Sequence, residues 1–201
     1  MPARVIVLAG PSGAGKSHLA ERLGLPVVRL DDFYKDADAP GLPCVDIAGG
    51  APIVDWDDPA SWDADAAITA IEELCTTGST LLPSYDIALS RRVGSHRVDL
   101  ADARLFVAEG IFAQEIVAAC RDRGLLASAF CVTQPAALTF VRRLSRDLAE
   151  HRKPPLVLLR RGLHLMLRQR SIVADAVAKG CEALSSAEAE RRIRGTARIR
   201  A

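Results

Sequence analysis

Short apolar runs alternate along the chain with longer stretches in which apolar residues recur every three or four positions. The short runs are typical of buried strands, and the periodic stretches are typical of helices that bury one face. Their alternation predicts an α/β fold in which a parallel sheet is flanked by helices. The predicted strands are Val5–Ala9, Val27–Leu30, Thr80–Leu82, Leu105–Ala108 and Ala129–Val132.

Helix ends are signalled by capping residues, glycines and prolines. Asp58 can cap a helix that starts at Pro59, and Gly78 can end it. The predicted helices are Pro59–Thr77, Phe112–Cys120, Pro135–Glu150 and Leu156–Lys179, with a short C-terminal helix after the capping box Ser185-x-x-Glu188. The segment Pro83–Val98 is predicted to form a β-hairpin inserted between sheet elements.

The most specific local signal is GPSGAGKS, residues 10–17, which fits the P-loop pattern G-x-x-x-x-G-K-[ST]. It stands between a predicted strand and a predicted helix, so its backbone N–H groups and the helix N-terminus can bind an anion. Lys16 can add a charge for the β- and γ-phosphates, and Ser17 can offer its hydroxyl to Mg²⁺. A glycine-rich turn without a ligand is the alternative, but strand, loop and helix all agree with a P-loop. The motif therefore predicts a nucleoside triphosphate and Mg²⁺ as cofactors. The residues predicted to bind the triphosphate are Gly10, Ser12, Gly13, Ala14, Gly15, Lys16, Ser17 and His18.

Composition and charge narrow the functions that the chain can have. The chain has 201 residues, of which 49% are hydrophobic, and a net charge of +1. This balance gives no general electrostatic case for binding nucleic acid or an anionic membrane. Residues 31–73 nevertheless hold 12 acidic residues and one basic residue, whereas basic residues dominate 142–200. Such a division suggests a site for both metal and phosphate, and solvated helix faces are the alternative.

The cysteines and the N-terminus indicate the compartment. The five cysteines are odd in number and widely spaced, which favours free thiols in a reducing environment over disulfides or zinc ligands. The N-terminal apolar run stops at the P-loop, and no run approaches the ~18 residues of a membrane span. We therefore expect a cytoplasmic protein with one P-loop domain over residues 1–201. Whether copies of the chain assemble into a homo-oligomer is left open.

Acidic residues directly follow two of the predicted strands. Asp31 and Asp32 come after Val27–Leu30, and Glu109 comes after Leu105–Ala108. In open α/β sheets, ligands bind beyond the carboxyl ends of the strands. A carboxylate there can take a proton from an acceptor hydroxyl or hold Mg²⁺ through water. The alternatives are a capping aspartate and a surface glutamate.

Three arginines cluster on the predicted helix Pro135–Glu150. Arg142, Arg143 and Arg146 lie three and four positions apart, so they share a helix face. Like charges on one face are destabilising unless anions lie against them. This spacing predicts a helical lid, about residues 142–162, that closes over ATP; a solvated basic face is the alternative.

From Val5 to about Lys153, the P-loop and five further segments resemble the uridine kinase / phosphoribulokinase group of P-loop kinases, closest to its uridine kinase-like members. The segments, in chain order, are Leu30-Asp31-Asp32-Phe33-Tyr34, Trp56-Asp57-Asp58-Pro59, Pro83-Ser84-Tyr85-Asp86, Val107-Ala108-Glu109-Gly110-Ile111 and Arg143-Leu144-Ser145-Arg146-Asp147.

The resemblance implies a role for each matching residue. Asp31 matches the base that takes the proton of a ribose 5′-hydroxyl, Asp57 the acid that holds the ribose hydroxyls, and Tyr85 an aromatic residue beside the nucleobase. Glu109 matches the acid on the metal side, and the lid arginines match residues that touch phosphates. The site prediction is therefore: catalytic Asp31, Lys16 and Arg146; ATP-binding Arg146 together with the P-loop; substrate-binding Asp31, Tyr34, Asp57, Tyr85, Arg92, Glu109 and Arg143; metal-binding Ser17 and Glu109.

The chain departs from the uridine kinase pattern in the hairpin and after the lid. Ile87 and Ser90 stand where uridine kinases usually place a Phe and a His that read the pyrimidine, and residues 151–155 replace the usual R-G-R. The resemblance implies an ATP-dependent kinase whose acceptor is a nucleoside 5′-hydroxyl. The departures keep pantothenate, a vitamin riboside or a sugar phosphate as alternative acceptors, and Arg91 and Arg92 could bind the last of these. A nucleotide-driven switch or binding module is a third hypothesis, although the N-K-x-D and L-S-G-G-Q motifs of such proteins are absent.

Overall fold

A computed structural model describes residues 2–46, 52–149 and 169–199, apart from the side chains of 142–144, 146–149 and 197–199. In chain order the strands are β1 (Arg4–Ala9), β2 (Val27–Arg29), β3 (Cys44–Val45), β4 (Ile53–Val54), β5 (Ser79–Asp86), β6 (Arg91–Asp99), β7 (Leu105–Glu109), β8 (Leu126–Thr133) and β9 (Glu182–Ser185). The helices are α1 (Lys16–Leu23), α2 (Ala64–Thr77), α3 (Val117–Asp122), α4 (Ala136–Ala149), α5 (within 169–178) and α6 (Ser186–Ile199).

Five of the strands form one parallel sheet in the order β2–β7–β1–β8–β9. The central strand β1 is buried on both faces. Val5 and Val7 join a hydrophobic cluster with residues of α2 and α3, whereas Ile6 and Leu8 join a second cluster with residues of α1 and α6. Helices therefore cover both faces, as all-parallel sheets require, and the predicted α/β fold is confirmed.

The inserted hairpin is present, but it is longer than predicted. β5 and β6 pair antiparallel from Ser79–Asp99 to Asp86–Arg91 and form a sheet of their own. The assignment of Thr80–Leu82 to the parallel sheet was therefore wrong. Thr80 and Leu82 are buried while Leu81 is 66% exposed, and this alternation is typical of an antiparallel ribbon with one buried face.

The predicted helix Pro59–Thr77 is divided in two by Trp62. Asp58 caps only a short 3-10 turn, Pro59–Ser61, and α2 begins at Ala64 under a second cap from Asp63. Trp62 is buried and extended, and its indole N–H donates to the Leu30 carbonyl oxygen at 2.6 Å. This tertiary contact outweighs local helix propensity. Gly78 ends α2 in the left-handed conformation, as predicted.

Other boundaries differ by a few residues, and three short strands, β3, β4 and β9, were not predicted. Leu30 belongs to a 3-10 turn, Leu30–Phe33, because β2 stops where its partner β7 ends. The helix predicted at Phe112 begins as a 3-10 turn, Ala113–Ile116, and continues as α3. β9 has no apolar run that could have indicated a strand; it lies at the sheet edge beside β8.

The predicted cap at Ser185 is present, because the Glu188 N–H donates to Ser185 Oγ at 3.2 Å as α6 begins. The Glu188 carboxylate pairs with Arg191 and Arg192, and α6, at 14 residues, is longer than the short helix predicted. α4 matches the predicted helix Pro135–Glu150 to within one residue at each end. The predicted helix Leu156–Lys179 is described only from 169, and most of the predicted lid lies outside the described residues. None of the helices in the described ranges is long and apolar enough to cross a membrane. Four of the five free cysteines are buried, and Cys44 is exposed.

Candidate functional site

Three of the predicted site segments meet at the carboxyl edge of the sheet. The register places Leu8 beside Glu109 and Glu109 beside Arg29. The P-loop follows β1, Glu109 ends β7, and Asp31 follows β2, so all three lie at neighbouring strand ends. This is the edge at which open α/β sheets bind ligands.

The P-loop needs glycine at its first position for two reasons. Gly10 has a φ of +131°, and a Cβ added there would lie 2.5 Å from the Val132 carbonyl oxygen on β8. Gly13 and Gly15 also have positive φ, 87° and 91°. The loop therefore runs against the sheet without side chains at these points and ends at the N-terminus of α1, where anions are stabilised.

Lys16 and Glu109 bring opposite charges into the interior of the site. Lys16 is 8% exposed and Glu109 7%. Lys16 Nζ donates to the carbonyl oxygens of Gly10 at 2.8 Å and Pro11 at 3.2 Å, and Ser17 Oγ donates to Glu109 Oε1 at 2.9 Å. Burial raises the pKa of Glu109 above its usual range, while the charge of Lys16 and the hydrogen bond from Ser17 act in the opposite direction.

The two adjacent aspartates after β2 have different surroundings. Asp31 is exposed, and its Oδ1 accepts a hydrogen bond from the Ile111 N–H at 3.1 Å. Asp32 is half-buried, and its Oδ1 accepts from the Tyr85 N–H on the hairpin at 3.3 Å. Burial raises the pKa of Asp32. Asp31 therefore faces outward with one oxygen held, whereas Asp32 attaches the hairpin to the sheet.

An aromatic cluster lies beside these aspartates, with Tyr34 at its centre. Its ring centroid is 5.7 Å from those of Trp56 and Tyr85 and 5.9 Å from that of Phe112. The hydroxyls of the two tyrosines donate to the Trp56 and Lys35 carbonyl oxygens at 3.0 and 3.2 Å. Burial raises the pKa of the Tyr85 hydroxyl to about 12. The rings form a rigid apolar wall with polar groups at its margin, which suits a flat organic acceptor.

The remaining predicted residues differ in how the structure places them. Asp57 lies in the turn after Trp56, where its N–H donates to Asp55 Oδ1. The guanidinium of Arg92 lies 3.5 Å from the carboxylate of Asp63, the residue that caps α2. The backbone N–H of Arg92 donates to Asp36 Oδ1. His18 is exposed on α1. Arg143 and Arg146 lie on α4, but their side chains fall outside the described ones.

Three contributors to this edge were not among the predicted site residues. Trp56 and Phe112 complete the aromatic wall, and the Ile111 N–H binds Asp31. Trp56 and Phe112 each lie close in sequence to a predicted acidic residue, which was an available signal. The Ile111 contact joins residues 80 positions apart, so nothing in the local sequence indicates it.

The residues present fit a nucleoside triphosphate with Mg²⁺. The loop ends at the N-terminus of α1, where N–H groups can bind phosphates, and the Lys16 charge lies against the loop. Ser17 and Glu109 supply the hydroxyl and carboxylate oxygens that Mg²⁺ prefers, and Mg²⁺ commonly takes few protein ligands and keeps water and substrate phosphates. Within the described ranges, no group of three or more His, Cys, Asp or Glu side chains could hold a metal ion.

Comparison with known proteins finds both sequence relatives and similar folds. Inorganic pyrophosphatase TTM2 from Arabidopsis thaliana is 29% identical over 158 residues, which cover 75% of this chain and 21% of that protein. Uridine kinase from Bacillus pumilus is 28% identical over 154 residues, 73% of this chain and 68% of that protein. The chain spans only 21% to 27% of the length of three of its curated relatives. No protein-family model matches the chain.

The fold comparison defines the class. The structure of a proposed fructose transport system kinase from Silicibacter sp. TM1040 covers 92% of this chain and 88% of its own, with a TM-score of 0.62 and 19% identity. The fold is therefore that of P-loop kinases. The sequence relatives include a uridine kinase and a uridine-cytidine kinase, so in sequence the chain is similar to uridine kinases.

Proposed function

We propose that this protein is an ATP-dependent small-molecule kinase whose acceptor is an alcohol, with the 5′-hydroxyl of a nucleoside such as uridine or cytidine as the first candidate. The observation that carries the proposal is the meeting of the P-loop, Glu109 and Asp31 at one edge of the sheet. Phosphoryl transfer needs little more than a phosphate cradle, a metal ligand and a group that positions the nucleophile.

Each residue at this edge has a role that its surroundings support. Asp31 accepts the proton of the acceptor hydroxyl, whose oxygen forms the new bond to phosphorus while the bond between that phosphorus and the leaving nucleotide breaks. Lys16 supplies a fixed positive charge in the loop, and Ser17 and Glu109 are the metal-side ligands. ATP supplies the transferred phosphoryl group, and Mg²⁺ neutralises its charge.

The acceptor side is supported by the aromatic cluster. The half-buried rings of Tyr34, Trp56 and Tyr85 are proposed to receive a base, with the buried ring of Phe112 packed against Tyr34. Asp57 is proposed to hold ribose hydroxyls. Arg92, which pairs with Asp63 in this structure, is proposed to bind the acceptor. Arg143 and Arg146 are proposed to contact phosphates from the lid. A cytoplasmic location completes the proposal.

A second acceptor class is favoured by the hairpin tip. Ile87 is 45% exposed, and Ser90 has a φ of +51° with its hydroxyl directed to the Ile87 carbonyl oxygen. Neither side chain offers the ring that a pyrimidine-reading Phe or His would supply. Pantothenate, a vitamin riboside or a sugar phosphate is therefore the alternative acceptor.

The test is ADP release from Mg-ATP against a panel of nucleosides, vitamin ribosides, pantothenate and sugar phosphates. We expect acceptor-dependent ADP release that is lost in Lys16→Ala, because the cradle then lacks its fixed charge.

Asp31→Asn is expected to lower kcat by about 10²- to 10⁴-fold, the range of general base catalysis. The matched control is Asp102→Asn, an exposed carboxylate in the turn before β7, which should retain kcat. Hydrolysis that no acceptor accelerates would instead support a nucleotide-driven switch.

A further inference from the structure

Gly110 lies between β1 and the segment that carries Asp31. It follows Glu109, whose register partner on β2 is Arg29, so Gly110 lies beside Leu30 and Asp31. Its N–H donates to the Leu8 carbonyl oxygen of β1 at 3.4 Å. The backbone of Gly110 is therefore attached to the central strand on one side and faces the candidate base on the other.

The structure leaves no space for a side chain at Gly110. A Cβ there would lie 2.9 Å from Asp31 Oδ1 and 2.9 Å from Leu30 Cβ. Leu30 is 1% exposed, so it has no room to withdraw. The φ of Gly110 is not in the left-handed region that favours glycine. The missing side chain is thus required by the proximity of Asp31 and Leu30, and the backbone conformation does not require it.

One hydrogen bond and one steric limit fix the position of the same carboxylate oxygen. Asp31 Oδ1 accepts the hydrogen bond from the Ile111 N–H at 3.1 Å, and it lies 2.9 Å from the position that a Cβ on Gly110 would take. Asp31 is exposed, so burial does not hold its side chain. With Oδ1 held by the backbone, Oδ2 is the oxygen that can meet a substrate hydroxyl.

We propose that Gly110 and the Ile111 N–H form an Asp31 seat, which holds the carboxylate in one orientation for proton transfer. Gly110 is then a positioning residue for the base. The proposal rests on the proposed function, because Asp31 must be the base for its orientation to affect turnover. A general base works only within hydrogen-bond reach of the proton, and a displacement of about 1 Å can lower the rate about 10²-fold.

The kinetic test compares two glycine-to-alanine changes. Gly110→Ala should lower kcat by about 10²-fold while the KM values for ATP and acceptor change little, because the carboxylate is displaced and the binding residues are kept. Gly195→Ala is the matched control: a Cβ on this α6 glycine would meet nothing within 4 Å, and kcat should be retained. Equal kcat in the two variants would overturn the proposal.

A second readout does not depend on activity. In the apoprotein, amide hydrogen exchange at Ile111 should be slow in wild type and in Asp31→Asn, whose side-chain oxygen still accepts, and fast in Asp31→Ala. Equal exchange in Asp31→Asn and Asp31→Ala would overturn the Asp31 seat, even if Gly110→Ala fails to fold. If wild type phosphorylates no acceptor while these exchange rates differ as expected, the proposed function fails and the seat remains.

Discussion

Adjacent residues at the candidate site differ in their surroundings, so we expect them to differ in their tasks. Asp31 and Asp32 are both carboxylates at the end of β2, but one is exposed beside the P-loop edge and the other is half-buried under the hairpin. Surroundings also matter for Lys16 and Glu109, because burying either charge without the other would be costly. Their opposite charges reduce that cost, so a charged phosphate site can be built into the interior.

The buried environment of Asp32 predicts a pH dependence. Burial raises its folded-state pKa, so the folded protein keeps this proton at a pH where the unfolded chain has lost it. Stability from this group is therefore present at low pH and is lost as the pH rises through the folded pKa. Asp32→Asn keeps an oxygen for the Tyr85 N–H and has no charge to bury.

The measurement is urea unfolding of both proteins across the acidic range. The free energy of unfolding of Asp32→Asn minus that of wild type should increase with pH and then level off. Groups other than Asp32 titrate in both proteins, so they cancel in the difference. A difference that decreases with rising pH would show that hydrogen bonding and nearby charges outweigh burial at this carboxyl.

At the scale of elements, α6 packs against α1, the helix that follows the P-loop. Ala189 and Ile193 are buried in the cluster that includes Leu19 and Ala20 of α1. Arg22 also pairs with Glu190 at 2.7 Å, and Arg194 donates to the Arg22 carbonyl oxygen at 2.7 Å at the C-terminal end of α1. Apolar packing and ion pairs thus join the same two helices. Their contributions to the free energy of unfolding are expected to differ in size.

Packing is expected to outweigh the ion pairs between α1 and α6. Ile193 is 1% exposed, so Ile193→Ala should lower the free energy of unfolding by about 2–5 kcal/mol, as for other buried truncations. Exposed ion pairs contribute little because water already solvates them, and Glu190→Gln should change stability far less. Urea unfolding of the two variants checks this order, and a larger loss in Glu190→Gln would contradict it.

At the scale of the whole molecule, local signals predicted the elements and long-range contacts decided their details. The P-loop and the caps at Gly78 and Ser185 depend on neighbouring residues, so the sequence indicates them directly. The break before α2 depends on the contact of Trp62 with Leu30, and β9 forms a strand only because β8 lies beside it. The candidate site follows the same rule. Asp31 and Glu109 were predicted from strand ends and the two tyrosines from the resemblance, whereas the contacts of Phe112 and Ile111 require the fold.

Binding of ATP should stabilise the whole fold, because the P-loop joins β1, α1 and, through Gly10, β8. A ligand at 100 times its Kd adds about 2.7 kcal/mol of stability. A domain of this size gains about 2–4 °C in Tm for each kcal/mol, so saturating Mg-ATP should raise Tm by about 5–10 °C in a thermal melt.

Adenosine lacks the phosphates that the cradle binds and should give a much smaller shift. Lys16→Ala should reduce the ATP shift while keeping a cooperative transition. An equal ATP shift in wild type and Lys16→Ala would show that the nucleotide binds away from the P-loop.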